Sequence, residues 1–144
     1  MLIDSHCHLN YLDDPDGAIE RARQSGVSSC LCVSVDEQGY AGVIGLASTH
    51  DDVWATAGVH PDAADGNLHW IEGALSHDRV VAVGETGLDY FHASEQAVQA
   101  RQREAFAYQL DLAVKNTLPV IVHTRQAEAD TLDLMRAYAG VRGV

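Results

Sequence analysis

The chain has 144 residues, enough for one ordinary domain. Hydrophobic residues are 47% and charged residues 21%, which excludes a disordered or collagen-like chain. Nine Lys and Arg face 21 Asp and Glu, a net charge of −12. That balance argues against nonspecific nucleic-acid binding by the bare surface, yet allows a phosphate-bearing ligand if metal ions supply positive charge.

No apolar run is long enough to span a membrane, so no membrane association is expected. The opening MLIDSHCHLN has neither a basic region nor an apolar leader. Three cysteines, an odd number, speak against a disulfide framework. Together these features predict a cytoplasmic location.

Short apolar runs at 2–3, 29–35, 53–59, 79–84 and 118–123 have strand lengths and are rich in Val and Ile. Helical stretches lie between them. The first covers 16–24, with Gly26 as its stop. The second follows Asp36, an N-cap, and ends near 48. The third carries Leu68, Ile71 and Leu75. The fourth covers 94–116, with Phe106, Leu110, Ala113 and Val114 on its apolar face. Pro119 opens the next strand. A fifth helix over 127–138 turns Leu132, Leu134, Met135 and Tyr138 inward, and a sixth strand is expected to start over 142–144. Alternation of this kind predicts parallel βαβ units with strands buried on both faces.

Asp4, His6 and His8 alternate along the first strand and share a face. Two imidazoles so placed can grip one metal ion, although an HxH pair is also a common loop start. Glu85 follows four apolar residues and Gly84 at a strand end. A carboxylate there is costly to bury unless paired or bound to metal. His123 ends another apolar strand, and Arg125 beside it suits phosphate. His60 ends a fourth strand before Pro61, as a ligand, a proton carrier, a substrate contact or a turn residue. Ionisable groups from separate strands gathered at one rim point to a site. Imidazoles with a bridging carboxylate suit Zn²⁺; carboxylate with water suits Mg²⁺ or Mn²⁺. Two such ions sharing Glu85 could clamp an in-line displacement at phosphorus.

Other residues are read as structural. Cys30 and Cys32 are small buried hydrophobes, and Trp54 and Trp70 pack. Asp13, Asp14 and Asp16 favour a helix N-terminus. His50, His69, His77 and His92 are expected at the surface.

Four motifs occur in order: Asp4-Ser5-His6-Cys7-His8-Leu9, Gly58-Val59-His60-Pro61, Gly84-Glu85-Thr86-Gly87-Leu88-Asp89-Tyr90 and Pro119-Val120-Ile121-Val122-His123-Thr124-Arg125. In order and spacing they resemble the TatD family, metal-dependent hydrolases within the amidohydrolase-like barrels, usually described as deoxyribonucleases. The resemblance covers essentially the whole chain. It implies a (β/α)8 TIM-type barrel, of which residues 1–144 supply about the first five βα units as the N-terminal portion of a single domain. It implies that His6 and His8 hold a first metal, that Glu85 bridges both metals as the catalytic carboxylate, and that His123 holds the second. His60 and Arg125 would face substrate phosphate. The implied reaction is phosphodiester hydrolysis in single-stranded DNA or at DNA ends, as a 3′ to 5′ exonuclease, with two divalent ions (Mg²⁺, Mn²⁺ or Zn²⁺) and no obligate protein partner.

The same resemblance calls for a further strand-end His and a later Asp, beyond the span of these residues. The expectation is therefore an incomplete site, inefficient hydrolysis by this chain alone, and an exposed sheet edge prone to association. Two other readings stand beside this one. An amidohydrolase-like ester or amide hydrolase commonly places a Lys at the bridging position, and no strand-end Lys occurs here. A non-catalytic fragment would bind metal weakly or need a complementary half.

Overall fold

In a computed structural model the described residues are 2–138 and 140–142. Five strands form one sheet: β1 (Leu2–Cys7), β2 (Val27–Cys32), β3 (Val53–Ala57), β4 (Val80–Asp89) and β5 (Val120–Arg125). They lie in sequence order and every neighbouring pair is parallel. A sheet wound in one direction, without a reversal of strand order, is the arrangement of a barrel rather than of a doubly wound sheet. The connections carry α1 (Pro15–Gln24), α2 (Glu37–Thr49), α3 (Trp70–Ala74) and α4 (Gln96–Asn116), and α5 (Glu128–Ala137) follows β5. Asp14 and Asp36 cap α1 and α2, accepting hydrogen bonds from the Gly17 and Gly39 amides.

The main core lies between sheet and helices. It includes Ile19, Cys32, Val43, Val53, Ala57, Ile71, Phe106, Leu110 and Val120. Residues on alternate strand positions, Val33, Ala82 and Ile121 with Leu31, form a second small cluster, as expected of a sheet with two covered faces. Burial pushes the thiols of Cys7, Cys30 and Cys32 up, consistent with their reading as protonated packing residues. The first strand is the exception to two-sided burial: Leu2 and Ile3 are exposed.

Three expectations need correction. β4 continues five residues past Gly84 and ends at Asp89, so Glu85 lies inside the strand. On α4 the buried residues are Gln102, Ala105, Phe106, Gln109, Leu110, Leu112 and Ala113, while Val114 is 43% exposed. Two glutamines are buried there because strand ends use their amides. Gln109 accepts from the Val59 amide at 2.8 Å and donates to the Val59 carbonyl at 3.0 Å. Gln102 accepts from the Asp89 amide at 2.9 Å. On α5, Leu132 is 53% exposed and Thr131 is the buried residue. Of the expected sixth strand, the Arg142 carbonyl accepts from the Val120 amide at 2.8 Å. Gly143 and Val144 lie outside the described residues.

Arg79, just before β4, ties α2 to β3. Its guanidinium donates to the carbonyls of Ala47, His50, Asp51 and Val53 at 2.7–2.9 Å and lies 4.2 Å from the Trp54 ring centroid. Arg79→Ala strips these acceptors at the rim of a buried strand. It is expected to lower unfolding free energy by about 3 kcal/mol, the scale of orphaned acceptors plus a lost cation–π contact. Urea titration followed by circular dichroism checks this, and a change below about 1 kcal/mol would contradict it.

Candidate metal centre

Glu85 is the hub of the site. β4 and β5 shift register between Val83 and Thr86, and there the Glu85 amide donates to the Ser34 carbonyl at 2.7 Å, beyond the end of β2. The Thr56 hydroxyl reinforces this link. It accepts from the Ser34 amide at 3.0 Å and donates to the Gly84 carbonyl. The glutamate is thereby held 8% exposed with its carboxylate toward the histidines of β1 and β5.

Each carboxylate oxygen faces its own imidazoles. Oε2 stands 3.3 Å from His6 Nε2 and 3.7 Å from His8 Nε2. Oε1 stands 3.3 Å from His123 Nδ1. The rings of His60 and His123 meet edge to face at 4.4 Å. Two potential ligand groups therefore share Glu85: His6–His8–Glu85 and His60–Glu85–His123. The spacing fits a divalent ion. Two atoms each about 2.1 Å from one ion at the tetrahedral angle stand roughly 3.4 Å apart.

Neighbours set the histidine tautomers. The Val33 carbonyl can only accept, so His8 Nδ1 donates to it at 3.0 Å and leaves the Nε2 lone pair toward Glu85. The Asp89 carboxylate does the same for His123, accepting from Nε2 at 3.2 Å and leaving Nδ1 free to ligate. His60 Nδ1 accepts from the Asp62 amide at 3.2 Å, so the neutral ring carries its proton on Nε2. Burial first, then the adjacent His123, pushes the His60 imidazole below its ordinary value, which favours this neutral form. His8, His60, Glu85, Asp36 and Asp62 line an open pocket of about 520 Å³.

The structure thus brings His6, His8, His60, Glu85 and His123 together. Arg125 is in neither ligand group, and its guanidinium carbon lies 3.8 Å from the centroid of the Phe91 ring. Asp89 was read only as part of a motif, yet it ties the site together. Besides His123, its carboxylate accepts from His92 Nδ1 at 2.9 Å and from the His92 amide at 3.0 Å. Burial by itself would raise the pKa of this carboxyl, but these hydrogen bonds prevail and hold it down at about 2. The strand alternation of Glu85, Gly87 and Asp89 would have revealed a shared face, had β4 been read to its full length. His92 is exposed, as expected, although Asp89 holds both its amide and its ring. His50 departs from expectation, because its side chain is largely covered and contacts Asp16 at 2.7 Å.

Comparison with known proteins gives a consistent picture. A model of the family described as TatD related DNase matches residues 3–144. The chain is 39% identical over 145 residues to YcfH of Escherichia coli K12, named an uncharacterized metal-dependent hydrolase, covering 94% of this chain and 53% of that protein. It is 36% identical over 130 residues to a protein of Edwardsiella piscicida named 3′-5′ ssDNA/RNA exonuclease TatD, covering 87% and 49%. The crystal structure of YjjV from Escherichia coli K12 superposes with a TM-score of 0.86 at 30% identity, covering 95% of this chain and 56% of that one. The chain spans about half the length of these relatives.

Proposed function

The chain belongs to the TatD related DNase family, and from that premise we propose that it carries the ion-holding part of a phosphodiesterase that shortens single-stranded DNA from the 3′ end. The observation that supports this most directly is the division of one carboxylate between two sets of imidazoles, Oε2 toward His6 and His8 and Oε1 toward His123. In this reading His6 and His8 hold one divalent ion, His123 holds a second, and Glu85 bridges them. Such ions, when bound, supply Lewis acidity: they offset charge on phosphoryl oxygens and make water a competent nucleophile near neutral pH.

The protein's own groups then have defined tasks. Val33 and Asp89 keep His8 and His123 in the ligating tautomer. His60 offers its Nε2 proton to a phosphate oxygen, and neutrality spares the site a competing cation. Arg125 meets substrate at the edge of the site. A net charge of −12 disfavours wrapping by duplex DNA, whereas a strand end can reach a pocket whose ions supply the attraction.

The test has two readouts. Calorimetric titration of the full-length protein with Mn²⁺ is expected to show two sites, both abolished by a chelator. The full gene product in Mn²⁺ or Mg²⁺ is expected to convert a 5′-labelled single-stranded oligonucleotide into a ladder of shorter products. One site or none overturns the bridging assignment. An intact oligonucleotide in the presence of two bound ions overturns the phosphodiesterase reading.

A further inference from the structure

Beside the Glu85 cluster stands a feature the metal centre does not use. Phe91 directly follows the Asp89–Tyr90 end of β4 and is 51% exposed. The Arg125 guanidinium carbon lies over its ring, 3.8 Å from the centroid. His92 closes the ring's edge at 4.9 Å and 87°.

The chain has nine cationic side chains against 21 acidic ones. Arg21, Arg23, Arg103, Lys115 and Arg136 sit in ion pairs, and Arg79 is taken up by carbonyls. That leaves Arg101, Arg125 and Arg142, which among the described residues make neither an ion pair nor a side-chain hydrogen bond, and of the three Arg125 is the one set over an aromatic ring. A guanidinium left without an acid in so acidic a protein suits an anionic ligand, and the half-exposed ring beneath it suits a planar one.

The feature is also joined rigidly to the metal centre. Arg125 and Asp89 are register partners on β5 and β4. Asp89 holds His92 through two hydrogen bonds and His123 through a third. His92, which adjoins Phe91 in sequence and packs on its ring, and His123 are therefore held by the same carboxylate.

We propose that Phe91 and Arg125 form a nucleobase-stacking platform that receives an unpaired base of the substrate next to the Glu85 site. This rests on the phosphodiesterase reading and adds a source of specificity to it. Ions and imidazoles recognise phosphate, which every nucleic acid and many small diesters carry. A flat aromatic–guanidinium surface recognises a base, and only when that base has left its own stack. The platform thus selects single-stranded ends without reading their sequence.

Binding tests this directly. The probe is a decathymidylate with a 5′ fluorophore and phosphorothioate linkages against cleavage, compared with the same strand lacking its last three bases. Fluorescence anisotropy with Mn²⁺ present is expected to show the natural strand binding roughly tenfold tighter, the order of one base–aromatic stack. Phe91→Ala should reduce that preference to near unity, while Phe91→Trp should keep or enlarge it. The abasic strand should bind wild type and Phe91→Ala alike, which a merely unfolded variant would not do. Equal binding of both strands by wild type, or a full preference surviving in Phe91→Ala, overturns the platform alone. Binding of neither strand overturns the nucleic-acid reading beneath it.

Discussion

Replacing Glu85 by glutamine is expected to abolish ion bridging and hydrolysis together while leaving the fold intact. The substitution keeps shape and changes one oxygen into an NH₂ group. Either His123 at 3.3 Å from Oε1, or His6 and His8 at 3.3 and 3.7 Å from Oε2, then faces a donor instead of an acceptor. An amide donor cannot ligate a cation, and the remaining oxygen carries no formal charge. One ion site loses its anionic ligand outright and the other keeps only a weak one. Calorimetry with Mn²⁺ is expected to lose at least one of the two sites. Hydrolysis by the full gene product should fall on the order of 10² to 10³-fold, the usual range for a lost preorganised electrostatic group. The ion-free chain should melt no lower than wild type, because an 8% exposed carboxylate gives way to a neutral group that is cheaper to bury. Two-site binding retained by the variant would refute the role given to Glu85.

Gly87→Ala should have the largest effect on stability. Gly87 has φ +138°, and a Cβ built there would lie 2.0 Å from the His123 carbonyl oxygen, 2.9 Å from its carbon and 3.0 Å from its nitrogen. The obstacle is backbone of the partner strand, which is itself held in register at Gly87↔His123, Leu88↔Thr124 and Asp89↔Arg125. Relief requires β4 and β5 to part where they present Glu85, Asp89 and His123. Backbone strain and overpacking together are expected to cost about 3–6 kcal/mol, a large share of a small domain's stability. Gly26→Ala is the control. Gly26 also has positive φ, +88°, but nothing stands within 4 Å of its Cβ position. Its cost should stay near 1–2 kcal/mol, the price of the conformation alone. Similar urea midpoints for the two variants would show that the collision at Gly87 is absorbed elsewhere.

The two substitutions mark how far residue patterns reach. Glu85 was legible because a carboxylate after an apolar strand has few uses besides pairing or metal binding. His60 and His123 were legible by the same contrast between an ionisable side chain and the run that precedes it, and His6 and His8 by their alternation on one strand face. The helix cap at Asp36 was legible because capping is local, reaching three residues along the chain, whereas Asp14 stood out only as one of three acids near a helix start. The glutamines of α4 were not. Gln102 and Gln109 look like solvent-facing residues until the amides of Asp89 and Val59 are seen to need them. Val114 and Leu132 look like core residues until the neighbouring helix faces are seen to be filled. Asp89 went unassigned because its partners are His123, 34 positions along the chain, and His92, whose amide and ring it holds at once.

The sequence by itself therefore determined the alternating architecture, the family, and which strands carry residues able to ligate a metal, because periodicity, capping and motif order are properties of neighbours along the chain. Tertiary structure alone decided that both oxygens of one carboxylate would be divided among three imidazoles, that Asp89 would join His123 to His92, and that Arg125 would lie over Phe91. Those outcomes depend on strand register and on a shift between β4 and β5, and a displacement of one residue would turn each side chain to the opposite face.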